Sequence, residues 1–109
     1  MVVRGGVDFR ASVEEVVRRI KAVADPEKII LFGSSVHEGV GDPNDIDVLV
    51  VKEVASRNHL TECIYRALLG VGRAVDVIVV TPGDVAQYRT SRILVIGKAL
   101  SEGKVVYAA

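Results

Sequence analysis

Apolar residues at Val13, Val16, Val17, Ile20 and Val23 recur at the helical period and predict an amphipathic helix from about Ser12 to Ala24. Ser12 and Glu15 have capping-box spacing at its start, and Asp25-Pro26 ends it. Lys28 to Phe32 is a short apolar run closed by Gly33, which reads as a buried strand. Ser34 to Asn44 is polar and carries Gly39, Gly41 and Pro43, so it reads mainly as loop, with room for a helical turn from Ser34 or Ser35. Asp45 to Val51 is a second strand. A second helix follows over about Arg57 to Leu69, with Leu60, Ile64, Ala67, Leu68 and Val71 as its apolar stripe and Gly70 or Gly72 as its stop. Ala74 to Val80 is a third strand. Thr81-Pro82 opens a third helix, with Asp84 as an early acid. Ser91 caps a last helix running to Glu102, and Lys104 to Tyr107 is a terminal strand. The predicted order is α β β α β α α β, an α/β (α+β) class with helices flanking a sheet.

Composition sharpens this picture. A chain of 109 residues predicts one domain over 1–109. Its 22 valines favour strands buried on both faces. The 14 basic residues balance 14 acidic ones, which argues against a general nucleic-acid-binding surface. The chain has no apolar run of membrane-spanning length, and its first residues lack a signal-peptide core. Cys63 is the one cysteine, so an internal disulfide is impossible. These features predict a soluble, cytoplasmic protein with no membrane contact.

Three carboxylates stand out by position. Asp45 and Asp47 flank Ile46 just before Val48-Leu49-Val50-Val51, and Asp76 just precedes Val77-Ile78-Val79-Val80. Residues i and i+2 of a strand share a face, about 7 Å apart. A strand–helix–strand unit is normally parallel, so both strands start at one edge of the sheet, and close pairing sets Asp76 beside the other two acids. One Asp at the start of a strand is commonly a turn or solvating residue. Two at i, i+2 with a third in the matching place on the next strand repel one another unless a cation neutralises them. Oxygen-only ligands point to Mg²⁺ or Mn²⁺. Upstream, Gly33 at a strand end allows close backbone approach, and the amides that follow suit phosphate oxygens.

The segment Leu31-Phe32-Gly33-Ser34-Ser35 through Asn44-Asp45-Ile46-Asp47-Val48-Leu49-Val50, with Asp76 in Val75-Asp76-Val77-Ile78-Val79, resembles the signature of the minimal nucleotidyltransferases of the DNA polymerase β-like superfamily. The stretch from Ile93 to Tyr107 also resembles that family's closing helix and strand, so the likeness covers about Lys28 to the C-terminus. It implies a nucleotidyltransferase fold with a mixed β-sheet and flanking helices. It also implies that Gly33, Ser34 and Ser35 bind the triphosphate of a nucleotide such as ATP. Asp45, Asp47 and Asp76 would hold divalent ions, with Asp76 helping to activate the attacking hydroxyl. The implied reaction moves a nucleoside monophosphate to a hydroxyl and releases pyrophosphate. Family members often read Gly-Ser-x-Ala-Arg-Gly where this chain has Gly33-Ser34-Ser35-Val36-His37-Glu38. His37 therefore replaces a permanent cation, and Glu38 adds a negative charge.

A chain this short leaves little room for a dedicated acceptor domain. It is similar to the antitoxin half of HEPN–nucleotidyltransferase toxin–antitoxin pairs, in which a tyrosine of the HEPN partner is adenylylated. Two other readings stand beside this one: a binding-only antitoxin subunit of weak activity, and a small-molecule nucleotidyltransferase of the antibiotic-modifying type. Ile93, Leu94, Val95, Ile96, Ala99 and Leu100 spread apolar residues over more than one face of the last helix. One face is expected on the sheet and the other against a partner, either a HEPN protein or a second copy.

Overall fold

The computed structural model describes residues 6–33, 45–91 and 93–109. Along the chain these form α1 (Gly6–Ala24), β1 (Lys28–Phe32), β2 (Asp45–Val51), α2 (Arg57–Ala67), β3 (Ala74–Val80), α3 (Pro82–Tyr88), α4 (Val95–Glu102) and β4 (Lys104–Ala108). The order of elements is the one the hydrophobic pattern predicts. The strands form one mixed sheet in the order β3-β2-β1-β4. β1 runs antiparallel to both β2 and β4, and β2 runs parallel to β3.

The sheet is buried on both faces, as its valine content requires. Ile29, Leu31, Ile46, Val48, Val50, Val75, Val77 and Val79 pack with Val16, Ile20 and Ile64 from α1 and α2. Alternate residues Ile30, Leu49, Val51 and Val80 point the other way, against Ala99, Ile96 and Leu100 of α4 and Val85 of α3. The result is an α+β domain with a helix pair on each face. None of the described helices is long and apolar enough to cross a membrane.

Helix α1 begins six residues earlier than its polar cap signal suggests. Phe9 is buried and extends the apolar stripe Val13, Val16, Ile20, Ala24 by one turn toward the N-terminus. Ser12 therefore lies inside the helix, where its hydroxyl accepts from Arg73 Nε at 2.6 Å. Glu15 forms no capping box and instead pairs with Arg18 and Arg19. Val23, expected on the stripe, is exposed, because Ala24 takes its place on the buried side. Asp25 then adopts a left-handed conformation with φ 46°, and Pro26, fully buried, prevents the helix from continuing. Helix α4 is also displaced from expectation and starts at Val95. The Ser91 hydroxyl accepts from the amides of Ile93 and Leu94 at 3.3 and 3.1 Å, holding a turn ahead of the helix. Helix α3 has the predicted start: a Thr81–Asp84 capping box with Pro82 in the first turn.

Arg19 links the two helices on one face. Its Nε donates to Glu15 Oε2 at 2.7 Å, and its Nη1 donates to the carbonyls of Leu69 and Ala67 at 2.8 and 3.3 Å. Those carbonyls lie at and just past the end of α2, where helix acceptors lack intrahelical partners. Arg19→Ala should cost about 1–2 kcal/mol of unfolding free energy in urea titrations, mainly by leaving these acceptors to water.

Two carboxylates are lowered by their hydrogen-bond partners. Hydrogen bonds from Arg18 and Arg19 lower the Glu15 carboxyl from its usual 4.5 to about 2. Asp84 is lowered too, first by the Thr81 amide and also by Arg57. A depressed folded-state pKa contributes stability above the unfolded value that is lost as pH falls through the folded one. Glu15→Gln should therefore flatten part of the decline in melting temperature between about pH 4.5 and pH 2. An unchanged slope would show that this exposed pair adds nothing measurable to stability.

Candidate active site

Because β2 and β3 run parallel and β1 antiparallel to them, the end of β1 and the starts of β2 and β3 meet at one edge of the sheet. The register places Phe32 opposite Asp47 and Asp47 opposite Asp76. These three residues form a row on the face that carries Leu49 and Val51. Asp45 lies two residues before Asp47 on the same face, opposite Ala74.

The acids are not equivalent. Asp47 is half-buried, whereas Asp45 and Asp76 are exposed. Burial is the first cause that raises the Asp47 carboxyl above its ordinary value; the Asp76 charge, a hydrogen bond between the two carboxyls and the more distant Asp45 charge add to it. Asp47 and Asp76 are direct partners in the register, so their carboxyls are neighbours across the two strands. Asp45 acts from further out, through charge. Among the described residues, no three His, Cys, Asp or Glu side chains are gathered tightly enough to form a metal cage on their own. A carboxylate pair of this kind suits Mg²⁺, which is commonly held by one or two carboxylates together with substrate phosphates and water.

Gly33 closes the site on the β1 side. Its φ is +71°, and a Cβ added there would lie 2.5 Å from Asp47 Oδ2. The glycine is therefore needed twice, for its left-handed backbone and for the room it leaves the carboxylate. Of the residues predicted to bind phosphate, Gly33 is placed beside the acids. Ser34 and Ser35 lie outside the described residues, as do His37, Glu38 and any helical turn that starts at Ser34 or Ser35.

Tyr65 is a neighbour that pattern reading passes over. It follows Ile64 on α2, just off the apolar stripe, and its hydroxyl accepts from the Val77 amide at 2.8 Å. It thereby holds the outer edge of β3 immediately after Asp76. An aromatic residue one place off a buried stripe is the signal that could have found it. Arg73 Nε bonds the Ser12 hydroxyl, and its guanidinium lies 5.5 Å from the centre of the Phe9 ring. His59 and Cys63 face each other along α2 with Nε2 and Sγ 3.7 Å apart.

Acids that crowd without a cation, set beside a glycine turn, make an edge suited to a metal-bound triphosphate. The polymerase β nucleotidyltransferase domain model matches residues 14–109, which include all three acids and Gly33. No curated protein and no solved structure gives a significant match. Sheet order, acid row and domain match agree, and the chain belongs to the polymerase β nucleotidyltransferase family.

Proposed function

We propose that the protein transfers AMP from ATP to a hydroxyl, that the acceptor is a tyrosine of a HEPN-type partner, and that the transfer silences that partner as an antitoxin would. The observation that carries the chemistry is the pairing of Asp47 with Asp76 in the register, with the Gly33 turn set against the Asp47 carboxylate. In this reading Asp45, Asp47 and Asp76 hold Mg²⁺ or Mn²⁺, and Gly33, Ser34 and Ser35 hold the triphosphate. Bound divalent ions would stabilise charge on the attacking and leaving oxygens of an in-line displacement. Asp47, half-buried and flanked by charge, fixes the geometry, and Asp76, exposed beside it, receives the acceptor's proton. The acceptor oxygen bonds to the α-phosphorus, the bond from that phosphorus to the bridging oxygen breaks, and pyrophosphate leaves.

A partner surface supports the second half of the proposal. Ile93 and Leu94, which lie in the turn ahead of α4 and not on the helix as expected, and Val95, its first residue, are 88%, 46% and 50% exposed, while Ala99 is buried and Ile96 and Leu100 pack on the sheet. An exposed apolar patch of this kind, beside a helix that packs on its own sheet, suits contact with another chain.

Intact-mass spectrometry of the protein co-expressed with the product of a neighbouring HEPN gene tests the reading. The expected result is one added AMP on a partner tyrosine, which requires Asp47. Tight binding of the partner with no ATP turnover would leave a binding-only antitoxin. AMP on a small molecule but not on the partner would assign the site to small-molecule modification.

A further inference from the structure

A cavity of about 800 Å³ lies away from the acids. It is a groove between α1 and β4. Phe9, Val13 and Val17 of α1 form one wall, and Leu31 and Val106 form the floor. Phe9, Val13 and Val17 recur every four residues, so the wall follows the helix axis. From Phe9 to Lys21 it runs about 18 Å, some three turns.

The rim is charged and one-sided. Among the described residues, Arg10, Arg18, Lys21 and Lys104 border the groove together with the carboxylate of Glu14. Arg18 is engaged by Glu15, and Lys21 lies 4.6 Å from the centre of the Tyr107 ring. Both remain cations at the groove's edge.

β4 is an edge strand of the sheet, but its edge is poorly suited to pairing with another strand. Ile29 pairs with Tyr107 and Ile30 with Val105, so Val106 is an extra, bulged residue. Bulges and edge lysines discourage strand addition. The bulge also brings Val106 to the α1 side, where it packs with the core and lines the groove. A second copy of this chain would set one basic rim against another.

We propose that this groove docks an amphipathic helix of a partner protein, about three turns long, apolar on one face and acidic along its flanks. Length and floor suit a helix laid beside α1, with anchors at i, i+4, i+7 and i+11. The rim's excess of positive charge selects acidic flanks. The proposal does not rest on the transfer chemistry.

The test is a display library of 16-residue helix-forming peptides selected on the full chain. Enriched sequences should carry apolar residues at helical spacing flanked by Asp and Glu. A selected peptide should bind at least tenfold more weakly to Lys104→Glu and to Arg10→Glu, both exposed positions. Circular dichroism establishes that each variant is folded. Bound peptide should slow amide exchange over residues 9–21 and 104–106. Enrichment of basic or neutral sequences, no enrichment at all, or protection elsewhere would overturn the proposal. So would equal binding to the folded charge-reversal variants. A dimer in light scattering that Lys104→Glu dissociates would assign the groove to a second copy instead.

Discussion

Asp47→Asn should reduce nucleotidyl transfer by about a thousandfold or more, because a metal clamp on the reacting oxygens supplies several kcal/mol and each 1.36 kcal/mol is tenfold in rate. The same variant should be at least as stable as the parent protein when metal is absent. Burial and the charges of Asp76 and Asp45 raise the Asp47 carboxyl above its ordinary 3.8. The folded protein therefore holds this proton to higher pH than the unfolded chain does. Its metal-free stability falls as pH rises from about 3.8 through the raised value. Asparagine removes the charge and with it that decline. Pyrophosphate release measures the first effect, and thermal melts in chelator across pH 4 to 8 measure the second. An Asn variant that unfolds where the metal-free parent is intact would make the acid structural and refute the metal assignment.

Gly33→Ala should damage the fold modestly and the chemistry severely. The left-handed backbone costs a residue with Cβ about 1–2 kcal/mol, which in a domain of this size is roughly 5–10 °C in melting temperature. The added Cβ also meets Asp47 Oδ2 at 2.5 Å, so the carboxylate must leave its present position. Transfer should fall at least tenfold at temperatures where the variant remains fully folded. The protein holds its own control. Gly70 has φ +84°, and nothing lies within 4 Å of a Cβ built there. Gly70→Ala should carry a similar stability cost and leave transfer intact. Equal activity loss in both variants would mean that backbone strain, not contact with Asp47, explains the result.

Much of this was readable in the sequence because local signals and burial agree. Val48 to Val51 and Val77 to Val80 lie on strands buried from both sides, and a run of β-branched residues admits few other readings. The acid row followed from two steps, alternation along a strand and the parallel sense of a strand–helix–strand unit. The one-to-one facing of Asp47 and Asp76 did not, because register is set by core packing across strands. The start of α1 was misread because Ser12 and Glu15 imitate a cap; Phe9, packed in the core one turn earlier, outweighs them. Tyr65 was passed over because its partner, the Val77 amide, is distant in sequence. The groove beside α1 was equally hidden, since its floor joins residues from both ends of the chain.

The position of β1 also has a consequence for biosynthesis. β1 lies inside the sheet, yet one of its two neighbours is the last of the described elements: Ile30 pairs with Val105, 75 residues further on. A chain emerging from the ribosome completes β1, β2, α2 and β3 while that side of β1 still presents open backbone donors and acceptors flanked by Ile29, Ile30 and Leu31. Closing it requires a long-range contact whose chain-entropy cost is met late, so β4 should be among the last segments to gain protection during folding. Until then the nascent protein carries an apolar, unpaired strand edge, the feature that draws chaperones and invites aggregation. Translation that stalls before residue 104 would release a polypeptide with all three acids in place and no finished sheet to hold them.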